Sequence, residues 1–221
     1  YVFKTMNYQL NILTPGFVRR SVTNIRVVDE KNKTAEILAR SSRKWKEGIS
    51  TQTDKNLDFV VEGGNKAFFK IKLKEGRVGY TRDGRFRMDF KGRLITLAGG
   101  YPVLGVDGEI TISNPTNITV SRSGVVFDLN QRIGQFDIAV LKKYSDLDNL
   151  YSINSVIFLK PDSVQLITGP EYYRVIQGMV RQSNSFQSFE TWFIQTHFKA
   201  SKNAYDSLIH TRKKLGGIVG N

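Results

Sequence analysis

Glycine recurs every eight residues through the middle of this chain, at Gly84, Gly92, Gly100 and Gly108, and the Asn114-Pro115 pair and Gly124 fall close to the same beat. Residues alternate between these points. Phe86, Met88 and Phe90 point one way, and Arg85, Arg87 and Asp89 the other; Ile110 and Ile112, then Ile118 and Val120, repeat the pattern. Alternation with a period of two is the mark of a strand with one buried face. Asp83-Gly84 and Asp107-Gly108 predict hairpin turns, because both central positions of a type I′ turn need φ > 0. Short strands at even spacing with polar turns predict an antiparallel meander, closed into a small sandwich or barrel. The strand signal runs from Leu57 to about Leu141, and the β-domain is expected over residues 57–170.

The flanks read differently. Phe3, Met6, Leu10 and Leu13 recur at spacings of three and four, the seam of a helix packed as in a coiled coil, and Thr14-Pro15-Gly16 ends it. Residues 1–25 are therefore expected to hold the end of an N-terminal helix and the turn after it. Residues 26–56 form a polar, basic connector of weak periodicity, expected to be extended or irregular. From Asn184 to Lys214 there is neither Pro nor Gly, and Gly216-Gly217 follows. Along this stretch Phe189, Phe193, His197, Ala200, Ala204 and Leu208 mark one stripe, while Ile194, Phe198, Tyr205 and Ile209 mark a second. The C-terminal region, residues 171–221, is thus expected to be dominated by a helix of roughly thirty residues. A lone helix does not hold two apolar stripes in water, so each stripe needs a companion. The N-terminal helix supplies one and neighbouring molecules the other; the alternative is a helix folded back on the β-domain's own core. The fold expected is mainly β: a central antiparallel β-domain with long terminal helices that pair in a coiled-coil-like inner layer.

Chemistry finds no footing. The chain has 221 residues and no cysteine, so thiolate metal sites, Cys nucleophiles and disulfides are excluded. His197 and His210 lie too far apart on one helix to share a metal. Asp54-Lys55-Asn56-Leu57-Asp58 begins like a calcium loop, but Phe59 stands where Gly is needed and Asn65 where Glu is needed. "SSRK" at 41–44 has the serine–lysine spacing of penicillin-recognising enzymes without the companion motifs. Gly63-Gly64-Asn65-Lys66 lacks the spacing of a phosphate loop. No catalytic residue, cofactor or metal is expected. No apolar run reaches the roughly 18 residues needed to cross a bilayer, so no membrane insertion is expected. The net charge of +13 raises a basic nucleic-acid-binding module as an alternative. The scatter of the basic residues, and an alternation that turns Phe86 and Phe90 away from Arg87, argue against it.

The sequence resembles the flagellar basal-body rod and hook proteins. "NILTPGFVRR" (11–20) looks like the family's signature at the end of its N-terminal helix, carried here by Asn11, Thr14, Pro15, Gly16 and Phe17. "LDFVVEGGNKAFFKI" (57–71), "YTRDGRFRMDFKGRLIT" (80–96) and "GYPVLG" (100–105) resemble the segments that enter and build the β-domain. "GEITI", "GQFDIAVL" and "NLYSI" follow in family order, "QGMVRQSN" (177–184) is similar to the opening of the C-terminal helix, and Asn203 matches its later part. The resemblance implies a non-enzymatic subunit that assembles with its own copies and with other axial proteins, exported by the flagellar type III apparatus. It would be located in the basal body, in the periplasm, and would transmit torque. The short connector and the missing glycine-rich lead-in point to the proximal rod subunit, with the distal one as the alternative. The N-terminal helix lacks roughly twenty residues of the family pattern, and a chain beginning at Tyr1 is expected to lack its upstream part. The assembly interface implied comprises Phe3, Met6, Leu10, Asn11, Leu13, Thr14, Pro15, Gly16 and Phe17 at one end. At the other it comprises Gln177, Gly178, Asn184, Phe189, Phe193, Ile194, His197, Phe198, Asn203, Ala204, Tyr205 and Leu208.

Overall fold

The computed structural model describes residues 20–30, 34–43, 45, 47–153, 156–183, 207 and 210. Two long strands come first, β1 (Arg20–Glu30) and β2 (Thr34–Arg43), paired antiparallel with a bulge between Val22 and Asn24. β3 (Ser50–Gln52), β4 (Phe59–Glu62), β5 (Ala67–Lys72) and β6 (Val78–Thr81) follow. β7 (Phe86–Met88) with β8 (Leu94–Thr96), and β9 (Leu104–Gly105) with β10 (Gly108–Glu109), make two small hairpins. β11 (Ile118–Val120), β12 (Val125–Asp128) and β13 (Gln131–Gln135) form a three-stranded sheet. β14 (Ile138–Leu141), β15 (Tyr151–Ser152), β16 (Ile157–Leu159), β17 (Leu166–Ile167), β18 (Arg174–Gln177) and β19 (Met179–Arg181) complete the series. The largest sheet runs β15-β16-β6-β5-β14-β17, and the ladders among the described residues are antiparallel. The fold is mainly β, as expected.

The central sheet is covered on both faces, which explains why β14 and the Ala67-Phe68-Phe69 start of β5 read as unbroken apolar runs rather than alternating ones. On one side Phe69 and Ile71 of β5 and Ile138 and Val140 of β14 enter the larger core. There Phe59, Phe69, Phe86 and Phe136 pack edge to face or tilted, with ring centroids 5.1 to 6.1 Å apart. On the other side Phe68, Ala139 and Leu141 meet Tyr80, Leu147, Leu150, Phe158, Val164 and Trp45.

The glycine beat holds in part. Gly92, Gly100, Gly108 and Gly124 have φ of 78°, 65°, 124° and 81°, the left-handed values that turns require. Gly84 does not belong with them, and Asp83-Gly84 is not a hairpin turn. β6 pairs with β5 and β16, while β7 pairs with β8, so the chain changes sheets here. Gly84 is glycine because a Cβ would lie 1.9 Å from the carbonyl oxygen of Phe59, whose amide donates to Gly84 O at 2.9 Å. The Asp107-Gly108 hairpin forms one residue away from its expected place, with Val106 and Asp107 between the paired Gly105 and Gly108. A turn with two consecutive non-glycine residues at positive φ joins β12 to β13, at Leu129 (47°) and Asn130 (70°). Inward alternation is observed for Phe86, Ile110, Ile112 and Ile118, but Phe90 is 92% exposed because it lies beyond the end of β7, on the turn.

Two expected boundaries also move. Residues 26–30 and 34–43 of the predicted connector belong to β1 and β2, and the first residues of β1 replace the end of the segment read as helix and turn. Residues 174–181, read as the approach to the C-terminal helix, form β18 and β19 and pair with β4 and β3. Strands thus continue past residue 170, as far as Arg181. The chain divides into two units, Tyr1–Asn184 and Ser185–Asn221; in the second, Ser207 and His210 are helical and exposed.

Candidate assembly site at the root of the β-domain

The chain comes into the β-domain and leaves it side by side. β3 and β19 pair with Ser50 opposite Arg181, Thr51 opposite Val180 and Gln52 opposite Met179. Gln182 N donates to Ile49 O at 2.8 Å, and a Cβ on Gly48 would lie 1.9 Å from Gln182 O, so the two segments touch backbone to backbone. Upstream, Trp45 plants its indole in the smaller core, 5.2 Å from the Phe158 ring, and donates from Nε1 to Asp148 at 3.0 Å.

Between these segments lies a charged knot. Glu47 Oε1 accepts from Arg82 Nη2 at 3.4 Å and from the Asn65 amide at 3.1 Å, and Arg181 Nη1 rests on the same oxygen. The two arginine side chains are each 5% exposed, and Glu47 is 38% exposed. Burial alone would raise the Glu47 carboxyl; the hydrogen bond and charge of Arg181, the charge of Arg82 and the Asn65 amide together hold it below its ordinary value. Burial first, and Arg181 second, push the Arg82 guanidinium down to about 10. Arg181 Nε is buried without a hydrogen-bond partner, as is Asn65 Oδ1.

Gln177 and Gly178 are the two predicted interface residues that the structure describes, and both serve the domain itself. Gln177 Nε2 donates to Asn56 O at 2.7 Å and Ile118 O at 2.8 Å, while its Oε1 accepts from Val120 N at 3.0 Å. Gly178, at φ 73°, separates β18 from β19, donates to Asp58 O and accepts from Thr53 N and Asp54 N. Their polar groups are thus engaged within one molecule. The predicted interface residues from Phe3 to Phe17 and from Asn184 to Leu208 lie outside the described residues. Trp45, Glu47, Gly48, Arg82 and Arg181 were not singled out from sequence; a lone Trp within a polar connector was the available signal. Among the described residues no group of three or more His, Asp or Glu is placed to hold a metal ion.

Residues 62–127, which span the Gly84 crossing and both small hairpins, match the flagellar hook protein FlgE/F/G D1 domain. In these residues the chain is similar to flagellar rod and hook proteins. It is 27% identical over 182 residues to the flagellar basal-body rod protein FlgF of Buchnera aphidicola subsp. Baizongia pistaciae, covering 79% of this chain and 72% of that protein. Against FlgF of Caulobacter vibrioides it is 29% identical over 203 residues, covering 81% and 78%. Against the basal-body rod protein FlgG of Buchnera aphidicola subsp. Acyrthosiphon pisum it is 34% identical over 111 residues, covering 47% of this chain and 40% of that relative. The charged knot at the root involves Glu47 and Arg181, which flank the D1 match, and Arg82 within it.

Proposed function

We propose that the chain is a structural subunit of the bacterial flagellar basal-body rod. It assembles helically with its own copies and with other axial proteins into the shaft that passes torque from motor to hook across the periplasm. The terminal segments, Phe3 to Phe17 and Asn184 to Leu208, build the inner helical layer, and the β-domain covers it. Export through the flagellar type III apparatus and the proximal position in the rod belong to the same reading, with the distal subunit as its alternative. The observation that carries it is the D1-domain match, joined to a β-domain in which β3, near the entry of the chain, pairs with β19, near its exit. Such head-to-tail contacts extend into a filament rather than closing.

Amide hydrogen exchange tests the reading. Residues 184–214 are expected to exchange fast in dilute monomer and slowly after assembly, while residues 80–126 stay protected in both. Strong protection of 184–214 in the monomer overturns it.

A further inference from the structure

The two strands of the β1–β2 hairpin pair with each other and, among the described residues, with no other strand. A two-stranded hairpin is barely stable alone in water, and three or more strands are needed to hold. Each outer edge also presents a row of backbone donors and acceptors, a template on which another chain can add a strand. The two edges are not alike. β1 is interrupted by the bulge between Val22 and Asn24, a feature that turns an edge away from pairing. β2 is regular over ten residues, from Thr34 to Arg43, with no proline, glycine or lysine to blunt it.

The sequence of β2 is complementary to itself. Antiparallel strands related by a two-fold axis set one residue opposite its own copy. With Leu38 in that place, Glu36 stands opposite Arg40 of the second copy, and Arg40 opposite its Glu36. These three residues occupy alternate positions and share one face of the strand. On the other face Ile37 stands opposite Ala39 and Ala35 opposite Ser41, with no charge among them. No other two-fold register of β2 sets Glu36 opposite an arginine.

We propose that the outer edge of β2 is an interaction surface for a second copy of this chain, which adds its own β2 antiparallel in this register. The product is a four-stranded sheet, β1-β2-β2-β1, with the bulged strands outermost. The contact is isologous and closes on two copies, unlike the head-to-tail contacts of a filament, so it stands apart from the rod reading.

The chain has no cysteine, so one introduced thiol reports only on contact between copies. In the full chain under mild oxidation, Leu38→Cys is expected to form linked dimers about tenfold or more faster than Ala35→Cys or Ser41→Cys alone, whose copies lie about 20 Å apart along the ladder. A mixture of Ala35→Cys and Ser41→Cys is expected to link the two variants to each other. In sedimentation velocity, Glu36→Lys and Arg40→Glu should each weaken dimerisation by about tenfold or more, and the double exchange should restore it. Leu38→Cys linking no faster than Ala35→Cys overturns the proposal, as does addition of β2 to β1 of the next copy, which gives open chains of subunits without the Leu38 link. A wild type that sediments as monomer at every concentration reached overturns it too, and so does a double variant as weak as the single ones. If Leu38→Cys disturbs the hairpin, the mixture decides: linkage between the two variants supports the register, and none refutes it. These readouts do not involve residues 184–214, so they stand or fall apart from the exchange test of the rod reading.

Discussion

Replacing Gly84 by alanine adds a single methyl group at the most crowded backbone crossing of the domain. That methyl would sit 1.9 Å from Phe59 O, 2.8 Å from its carbonyl carbon and 3.1 Å from a ring carbon of Phe69. Neither neighbour yields cheaply, because Phe59 and Phe69 belong to the buried aromatic cluster and are almost fully enclosed. Relief requires the 84–86 segment to move off β4 by more than an ångström. That movement breaks two backbone hydrogen bonds, Phe59 N to Gly84 O and Phe86 N to Leu57 O, both 2.9 Å. Two lost bonds at about 1 kcal/mol each, plus about 1–3 kcal/mol of overpacking strain, give a destabilisation of about 3–5 kcal/mol. In urea at ~2 kcal/mol per molar, the unfolding midpoint falls by about 1.5–2.5 M. The control is Gly134→Ala, where a Cβ meets nothing within 4 Å and φ is ordinary, so the midpoint should move by less than about 0.3 M. The assay is urea unfolding of the full chain followed by far-ultraviolet circular dichroism. A Gly84→Ala loss under about 1 kcal/mol would show that the crossing is held loosely and refute the close-approach argument.

Gln177→Ala leaves Val120 N, Asn56 O and Ile118 O without the side chain that joins them, and should cost about 2–4 kcal/mol by chemical denaturation; a loss below 0.5 kcal/mol, within the range of a neutral surface change, contradicts the clamp. Glu47 has a depressed pKa in the folded state, so its stabilisation is present above the unfolded value near 4.5 and is lost as pH falls from there through the folded value. Melting midpoints of Glu47→Gln should accordingly fall less steeply than wild type below pH 4.5, and parallel curves would remove the carboxylate from the account. Phe69→Ala, in the aromatic cluster, should cost about 3–5 kcal/mol, while Phe90→Ser on the exposed turn should stay within about 0.5 kcal/mol; equal effects would mean that Phe90 packs in solution.

The strands facing a single core were legible because their alternation is a local property: Ile110, Ile112 and Ile118 could be assigned a face without knowing their partners. Phe90 continued the same alternation past the end of its strand, and nothing local distinguishes the last residue of a ladder from the first of a turn. Gly84 was misread because glycine answers two different demands, a positive φ and a close backbone approach, and composition does not separate them. The β1–β2 hairpin escaped notice because Val27-Val28 and Ile37-Leu38 are adjacent apolar pairs in the sequence and blur the period of two. The root was hidden for a different reason. β3 and β19 lie far apart in sequence, and so do Glu47 and Arg181, so a pairing of this kind leaves no local trace. Of the candidate interface, Gln177 and Gly178 took their place from family likeness, and their hydrogen bonds within the domain could not be read from that likeness.

The pairing of Ser50 with Arg181 has a mechanical meaning. The two segments emerge from the domain at the same rung of one short ladder, so force that drags both in the same direction passes into the domain without loading that ladder. Force that splays them apart acts as on a zipper, one rung at a time, with the Gln182–Ile49 bond and the Glu47 bridge as the first fastenings to give. A joint built this way is stiff to common motion and yields to separation, so whatever keeps the two outgoing segments together also protects the domain from being peeled open.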